Sequence, residues 1–263
     1  MEKKAEFLMS SDSFTGYGLD LVLDVSKEAG FDGIDLAMWK NFDSRNLEYV
    51  KKLTKKHEMP IRVIQTSSTV NAKELNQALD LCEATGATTI TINAPKITDF
   101  KTFNFLVDNL ENYKKNNKWI RFSIINPESN NLFALPVPKY RFTNIVEIIK
   151  KYWCYLWLDI VNLDDNTLEN EFMRKVDQFV PYISVLYFSD RTAVWERHVV
   201  PWEWSLKLDK LLKKLKENRY SSYFSTKVDF PKQELADSEK IIMILKKIRK
   251  YYQENFESIK IEE

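Results

Sequence analysis

Apolar positions along the chain fall into two alternating patterns. Short runs rich in β-branched and aromatic residues occur at Glu6–Met9, Gly33–Leu36, Ile61–Gln65, Thr88–Asn93, Ile120–Ile125, Tyr155–Asp159, Ile183–Phe188 and Tyr223–Val228. Most are continuous, as expected of parallel strands buried on both faces. Between them, apolar residues recur every three to four positions, as in Leu19, Val22, Leu23 and Val25, or in Leu206, Leu208, Leu211, Leu212 and Leu215. Further helical patterns run over about 43–57, 71–84, 99–115, 143–152, 165–178 and 236–256. Strands alternating with helices predict βαβ units and a parallel sheet. Eight such units with short connections predict a single-domain α/β fold over 1–263, a (β/α)8 TIM barrel, with a doubly wound sheet as the runner-up.

Composition narrows the partners. The formal net charge of +1 gives no broad basic field, so no nucleic-acid partner is expected. No apolar run is long enough to cross a bilayer, and the start MEKKAEFLMSS is too charged for a secretion signal, so neither a membrane partner nor export is expected. Cys82 and Cys154 lack CxxC partners and sit among apolar residues, which fits core positions in a cytoplasmic protein.

In an α/β barrel the chemistry sits at the C-terminal strand ends. The polar residues there are Asp35, Gln65, Asn93, Asn126, Glu128, Asp159, Asn162, Tyr187, Asp190, Arg191 and Lys227, with Glu196 and His198 in the loop after the seventh strand. Asp and Asn at such ends also serve as helix caps and turn formers. Asp159 differs, because Leu158-Asp159-Ile160-Val161 places a carboxylate among apolar neighbours, and buried carboxylates are rare unless paired or metal-bound. Lys227 points either into the barrel mouth or out toward the helices. His57 ends a lysine-rich helix and is read as a C-terminal helix residue, which leaves His198 as the histidine able to face the mouth.

Gly30–Leu36 resembles the second strand of the xylose-isomerase-like family of sugar isomerases and epimerases, "GFDGIEL". Ala78–Asn93 resembles the family's fourth helix and strand, Leu158–Asn162 its "LDxxH" and Val185–Asp190 its "vHxxD". His198–Pro201 with Leu206–Tyr220 resembles "H-x-P-x-G-x-G … L-x-x-x-G-Y", and Tyr223–Phe230 the last strand. The ordered set spans nearly the whole chain. The resemblance implies a divalent metal held by Glu, Asp, His and Glu at the ends of strands five to eight. Asp159 keeps its place, but the strand-five Glu falls on Ile125 or Asn126, the His on Tyr187, the last Glu on Lys227, and the His three after Asp159 on Asn162. Such a set lacks the oxygens that Mg²⁺ or Mn²⁺ requires. No cofactor is therefore expected; a divalent metal, if bound, would fall to Asp159, Glu196 and His198. Glu196-Arg197-His198 also resembles the "DRH" of AP-endonuclease relatives, but their zinc cluster needs more histidines than the two present.

The expected function is isomerisation or epimerisation of a small sugar or sugar phosphate by proton transfer. Lys227, desolvated and titrating near neutrality, His198 or Glu128 would shuttle the proton and Asp159 would orient the substrate. In the same reading Lys227 could instead bind a phosphate or carboxylate. Asp35, Gln65, Asn93, Asn126, Asn162, Tyr187, Asp190 and Arg191 would bind the ligand. The alternative is an inactive barrel that binds a sugar phosphate. A homodimer is left open.

Glycine is scarce: five in the chain and none after Gly86, whereas six of the seven tryptophans lie beyond position 118. Trp202 and Trp204 occupy the two Gly slots of the resembled loop. One reading is that UGA codons meant for glycine have been rendered as tryptophan.

Overall fold

The computed structural model describes all residues except 1–3, 129–139, 141–144, 193–195, 202–205, 232–234, 236 and 261–263. Trp195, Trp202 and Trp204 lie outside the described residues. Eight strands close a parallel barrel: β1 (Glu6–Ser10), β2 (Gly33–Ala37), β3 (Ile61–Gln65), β4 (Thr89–Ile92), β5 (Arg121–Ile125), β6 (Tyr155–Asp159), β7 (Ile183–Tyr187) and β10 (Tyr223–Thr226), with β10 hydrogen-bonded to both β7 and β1. Two short antiparallel strands, β8 (Asp190–Arg191) and β9 (Arg197–Val199), form a hairpin above the β7 end. The helices are α1 (Leu19–Glu28), α2 (Leu47–His57), α3 (Ala72–Thr85), α4 (Phe100–Asn116), α5 (Ile145–Lys150), α6 (Val176–Phe179), α7 (Leu208–Glu217) and α8 (Ser238–Tyr252). Among the described residues, no helix is long and apolar enough to cross a membrane.

Period-two alternation sorts each strand into two faces. Phe7, Met9, Leu156, Leu158, Leu186, Phe188 and Phe224 join the large core between sheet and helices. Leu8, Val63, Trp157, Val185, Tyr187 and Tyr223 form a separate cluster that fills the barrel interior. Ser225 and Lys227 continue the Tyr223 face, which resolves the orientation of Lys227 toward the barrel interior and its mouth.

The N-caps are local chemistry: Asn46, Asn71, Asp99 and Asp237 each accept a hydrogen bond from a backbone N–H in the first turn of α2, α3, α4 and α8. His57 closes α2 as expected, its Nε2 2.6 Å from Asp20 Oδ1 on the outer layer. Both cysteines are buried and unpaired. The helix expected over 165–178 is broken. A wide π-type turn, Thr167–Phe172, buries Leu168 and Phe172, and only four residues at α6 resume a regular helix.

Two backbone positions are constrained. A Cβ on Gly33 would lie 2.7 Å from the Pro60 carbonyl oxygen, so only glycine lets β2 approach that close. Trp153, just before β6, has φ +52° with 76% of its surface exposed, a left-handed conformation that glycine adopts at little cost.

Candidate active site

The C-terminal ends of β4, β5, β6 and β10, together with β9, enclose a cavity of about 330 Å³, lined by Asn93, Glu128, Asp159, Asn162, His198 and Lys227 among others. This volume is in the range of small-ligand pockets.

Asp159 ends β6, where the pleat turns it into the mouth. Its backbone is fixed by one amide: Asn126 Oδ1 accepts from Asp159 N–H at 2.6 Å, and Asn126 Nδ2 donates to the Asp159 carbonyl at 2.9 Å. Asn162 Nδ2 in turn donates to the Asn126 carbonyl at 2.9 Å. Burial pushes the Asp159 carboxyl up to about 7, with the charge of Lys227 pulling the other way.

His198 Nε2 lies 3.5 Å from Asp159 Oδ2, and its Nδ1 is 3.1 Å from Ser189 Oγ. The residue sits at φ +55°, strain of the kind that collects at functional sites. Burial, with Lys227 nearby, drives the imidazole well below its ordinary value, so the ring is neutral near pH 7.

Lys227 Nζ lies 3.0 Å from Asp12 Oδ2 and 5.8 Å from the centre of the Tyr187 ring. Burial alone would lower its pKa, but the charges of Asp12 and Asp159 outweigh that and hold it above the ordinary lysine value. The ammonium is therefore charged at neutral pH, which corrects the expectation that it titrates there. Asp12 was not among the sequence candidates. It lies in a 3-10 turn, Ser11–Phe14, whose serines read as an ordinary loop.

Glu128 is ion-paired with Arg197, and Arg197 Nη1 also donates to Asn162 Oδ1 at 3.3 Å, so these residues form one wall. Asn93 Nδ2 donates to the Thr66 carbonyl at 3.3 Å. Other candidates lie elsewhere. Asp35, Gln65 and Tyr187 are fully buried in the barrel interior, with Ser225 Oγ donating to Asp35 Oδ2 at 2.7 Å and Gln65 Nε2 to Ser10 Oγ at 3.1 Å. Asp190 accepts from the Arg191 and Leu206 N–H groups at 2.7 and 3.1 Å, pinning the chain into α7. Arg191 is 2% exposed and donates to the carbonyls of Val161 and Leu163 and to Asp165. These two strand-end residues hold loops and do not line the cavity. Glu196 is exposed.

The metal corner implied by the resemblance presents one carboxylate, an amide whose two ends both serve the Asp159 backbone, a tyrosine ring and an ammonium. Among the described residues, no three His, Cys, Asp or Glu side chains converge as metal ligands. This donor set does not fit a hard divalent cation.

No protein-family model matches the chain, and no curated protein matches it in sequence. Its fold is similar to those of many solved structures. The 3-keto-D-glucoside 4-epimerase YcjR from E. coli is 13% identical, with 92% of this chain and 99% of that chain covered and a TM-score of 0.67. The zinc-bound IOLI protein is 16% identical, with 97% and 100% covered and a TM-score of 0.70. A xylose isomerase domain-containing protein from Salmonella typhimurium is 12% identical, with 96% and 99% covered and a TM-score of 0.69. The chain thus shares its fold with these structures, a closed parallel (β/α)8 barrel.

Proposed function

We propose that this protein is an isomerase or epimerase of a small sugar or sugar phosphate, moving a proton at the carbon beside a carbonyl without a divalent metal. The observation that carries the reading is the pairing of Asp159, poised near neutrality, with a neutral His198 at 3.5 Å and a charged Lys227 in one polar cavity. An acid–base group works best with a pKa near the operating pH. Asp159 takes the proton from carbon, and the Lys227 ammonium faces the negative charge that develops on the carbonyl oxygen. The Asp159 carboxyl returns the proton to the neighbouring carbon for isomerisation, or, once the intermediate has turned its opposite face to the carboxyl, to the first carbon for epimerisation. His198 steadies Asp159 and can exchange its proton. The Glu128–Arg197 pair and Asn162 offer hydrogen bonds to sugar hydroxyls. Structural likeness to an epimerase and to a xylose isomerase domain supports the substrate class. Two unpaired cysteines fit a reducing cytosol.

The test screens aldoses, ketoses and their phosphates by thermal shift and by product analysis. Stabilisation with interconversion of one sugar pair is expected. Stabilisation without turnover would replace the enzyme with a binding module.

A further inference from the structure

Four consecutive polar residues, Ser10 to Ser13, lead out of β1, and all are buried. The serines are committed to the backbone. Ser10 Oγ accepts from Asp12 N–H at 3.3 Å, Ser11 Oγ from Ala37 N–H at 2.9 Å, and Ser13 Oγ from Val228 N–H at 2.9 Å. The turn is thereby tied to β2 and to the segment after β10, and this fixes the position of Asp12. Its two oxygens carry one lysine each: Oδ2 is 3.0 Å from Lys227 Nζ and Oδ1 is 2.9 Å from Lys40 Nζ. The Lys227 side chain is 19% exposed and that of Lys40 31%, so one buried carboxylate joins an ammonium in the cavity wall to another nearer the surface.

We propose that Asp12 is a positioning residue that selects the chemistry of the cavity: it holds Lys227 as a fixed ammonium, able to stabilise negative charge but unable to condense with the carbonyl of an open-chain sugar. Condensation needs the nitrogen lone pair. That pair would form the C–N bond, and the carbonyl oxygen would take up two protons and leave as water, giving an imine. An ammonium has no such pair. The charged and titratable groups around Lys227 come from every side: Asp12 after β1, Asp35 on β2 and Lys40 after it, Asp159 on β6, Tyr187 on β7, Arg197 and His198 on β9, and Asp229 after β10. Among the described residues, Asp12 is the one carboxylate that makes an ion pair with Lys227. Without its charge, burial and the cations Lys40 and Arg197 act against Asp159 and Asp229, neither of which is ion-paired with Lys227, and the balance moves toward the neutral amine. The inference rests on the reading of the cavity as a carbonyl-handling site, but its test uses no turnover.

Wild type, Asp12→Asn and Asp12→Glu are incubated with glycolaldehyde and cyanoborohydride at mildly alkaline pH, where hydride traps any imine as a secondary amine. Peptide mass spectrometry then measures the modification of Lys227 against the exposed lysines of the same sample. A ten-fold larger neutral fraction accompanies each fall of one in the lysine pKa, so Asp12→Asn should show at least about ten-fold more Lys227 adduct than wild type. Asp12→Glu should return it to the wild-type level. Equal modification in wild type and Asp12→Asn, whether high or low, overturns the proposal. A second readout covers the case in which Asp12→Asn does not fold. The Nζ resonance of Lys227 in the wild-type protein, assigned with Lys227→Arg, should stay in the charged form up to about pH 10, and deprotonation at a pH more than about one below the ordinary lysine value overturns the proposal. A protein that turns over no sugar would sink the functional reading and leave both readouts intact.

Discussion

Asp35 sets a pH-dependent cost on the fold that one substitution should remove. It lies on β2, fully buried in the barrel interior, with Ser225 Oγ donating to Oδ2 at 2.7 Å. Burial pushes its carboxyl from 3.8 up to about 7, against the hydrogen bond from Ser225. The folded state thus keeps a proton that the unfolded chain gives up near pH 4. A group whose folded pKa is raised contributes stability at low pH and loses it as pH climbs through the folded value. A ten-fold change in proton affinity is worth about 1.4 kcal/mol, so a carboxyl raised from 3.8 to about 7 amounts to about 4 kcal/mol between pH 4 and pH 8. Asp35→Asn keeps the size and the acceptor for Ser225 and cannot ionise. Urea unfolding of both proteins from pH 4 to pH 8.5 gives the difference in stability directly. The variant should be no more stable than wild type at pH 4 and should gain progressively, by about 4 kcal/mol, toward pH 8. A difference that does not change with pH would show that Asp35 is ionised in the fold and would refute the reasoning.

Arg191→Ala strips the donor from the Val161 and Leu163 carbonyls, and unpaired buried acceptors cost about 1–3 kcal/mol each, which chemical denaturation will register. Gly33→Ala sets a Cβ against the Pro60 carbonyl and should cost about 1–3 kcal/mol by the same measurement. Trp153→Gly relieves a left-handed tryptophan that buries little and should raise stability by up to about 1 kcal/mol in thermal unfolding. If the glycine deficit reflects UGA codons, the codons for 153, 202 and 204 read UGA and the protein from its source is correspondingly lighter in mass; UGG at those positions ends the idea.

The barrel was legible because its strands are buried on both faces and its helices on one, and each expected strand lies within about two residues of the one observed. The direction of Lys227 was legible only in part: period two puts Tyr223, Ser225 and Lys227 on one face, but the choice between barrel mouth and helix layer stayed open until the fold placed Tyr223 in the interior cluster. Asp12 was not, because a serine-rich turn after a strand looks the same whether its carboxylate meets solvent or two lysines. Asp190 and Arg191 carry the sequence marks of ligand-binding residues, a charge at a strand end. Only the fold reveals that backbone amides and carbonyls of neighbouring loops consume them. The break in the helix over 165–178 was hidden because the π-type turn keeps Leu168 and Phe172 at a helical spacing.

The most direct test of the account is solvent exchange at carbon. The protein is incubated in D₂O with EDTA and the sugar that stabilises it most, and deuterium at the carbon beside the carbonyl is followed by proton NMR. Wild type should incorporate deuterium undiminished by the chelator, and Asp159→Asn should lose that incorporation by a factor of about 10² or more. Exchange that disappears with EDTA, or that persists in Asp159→Asn, would contradict metal-free proton transfer at Asp159.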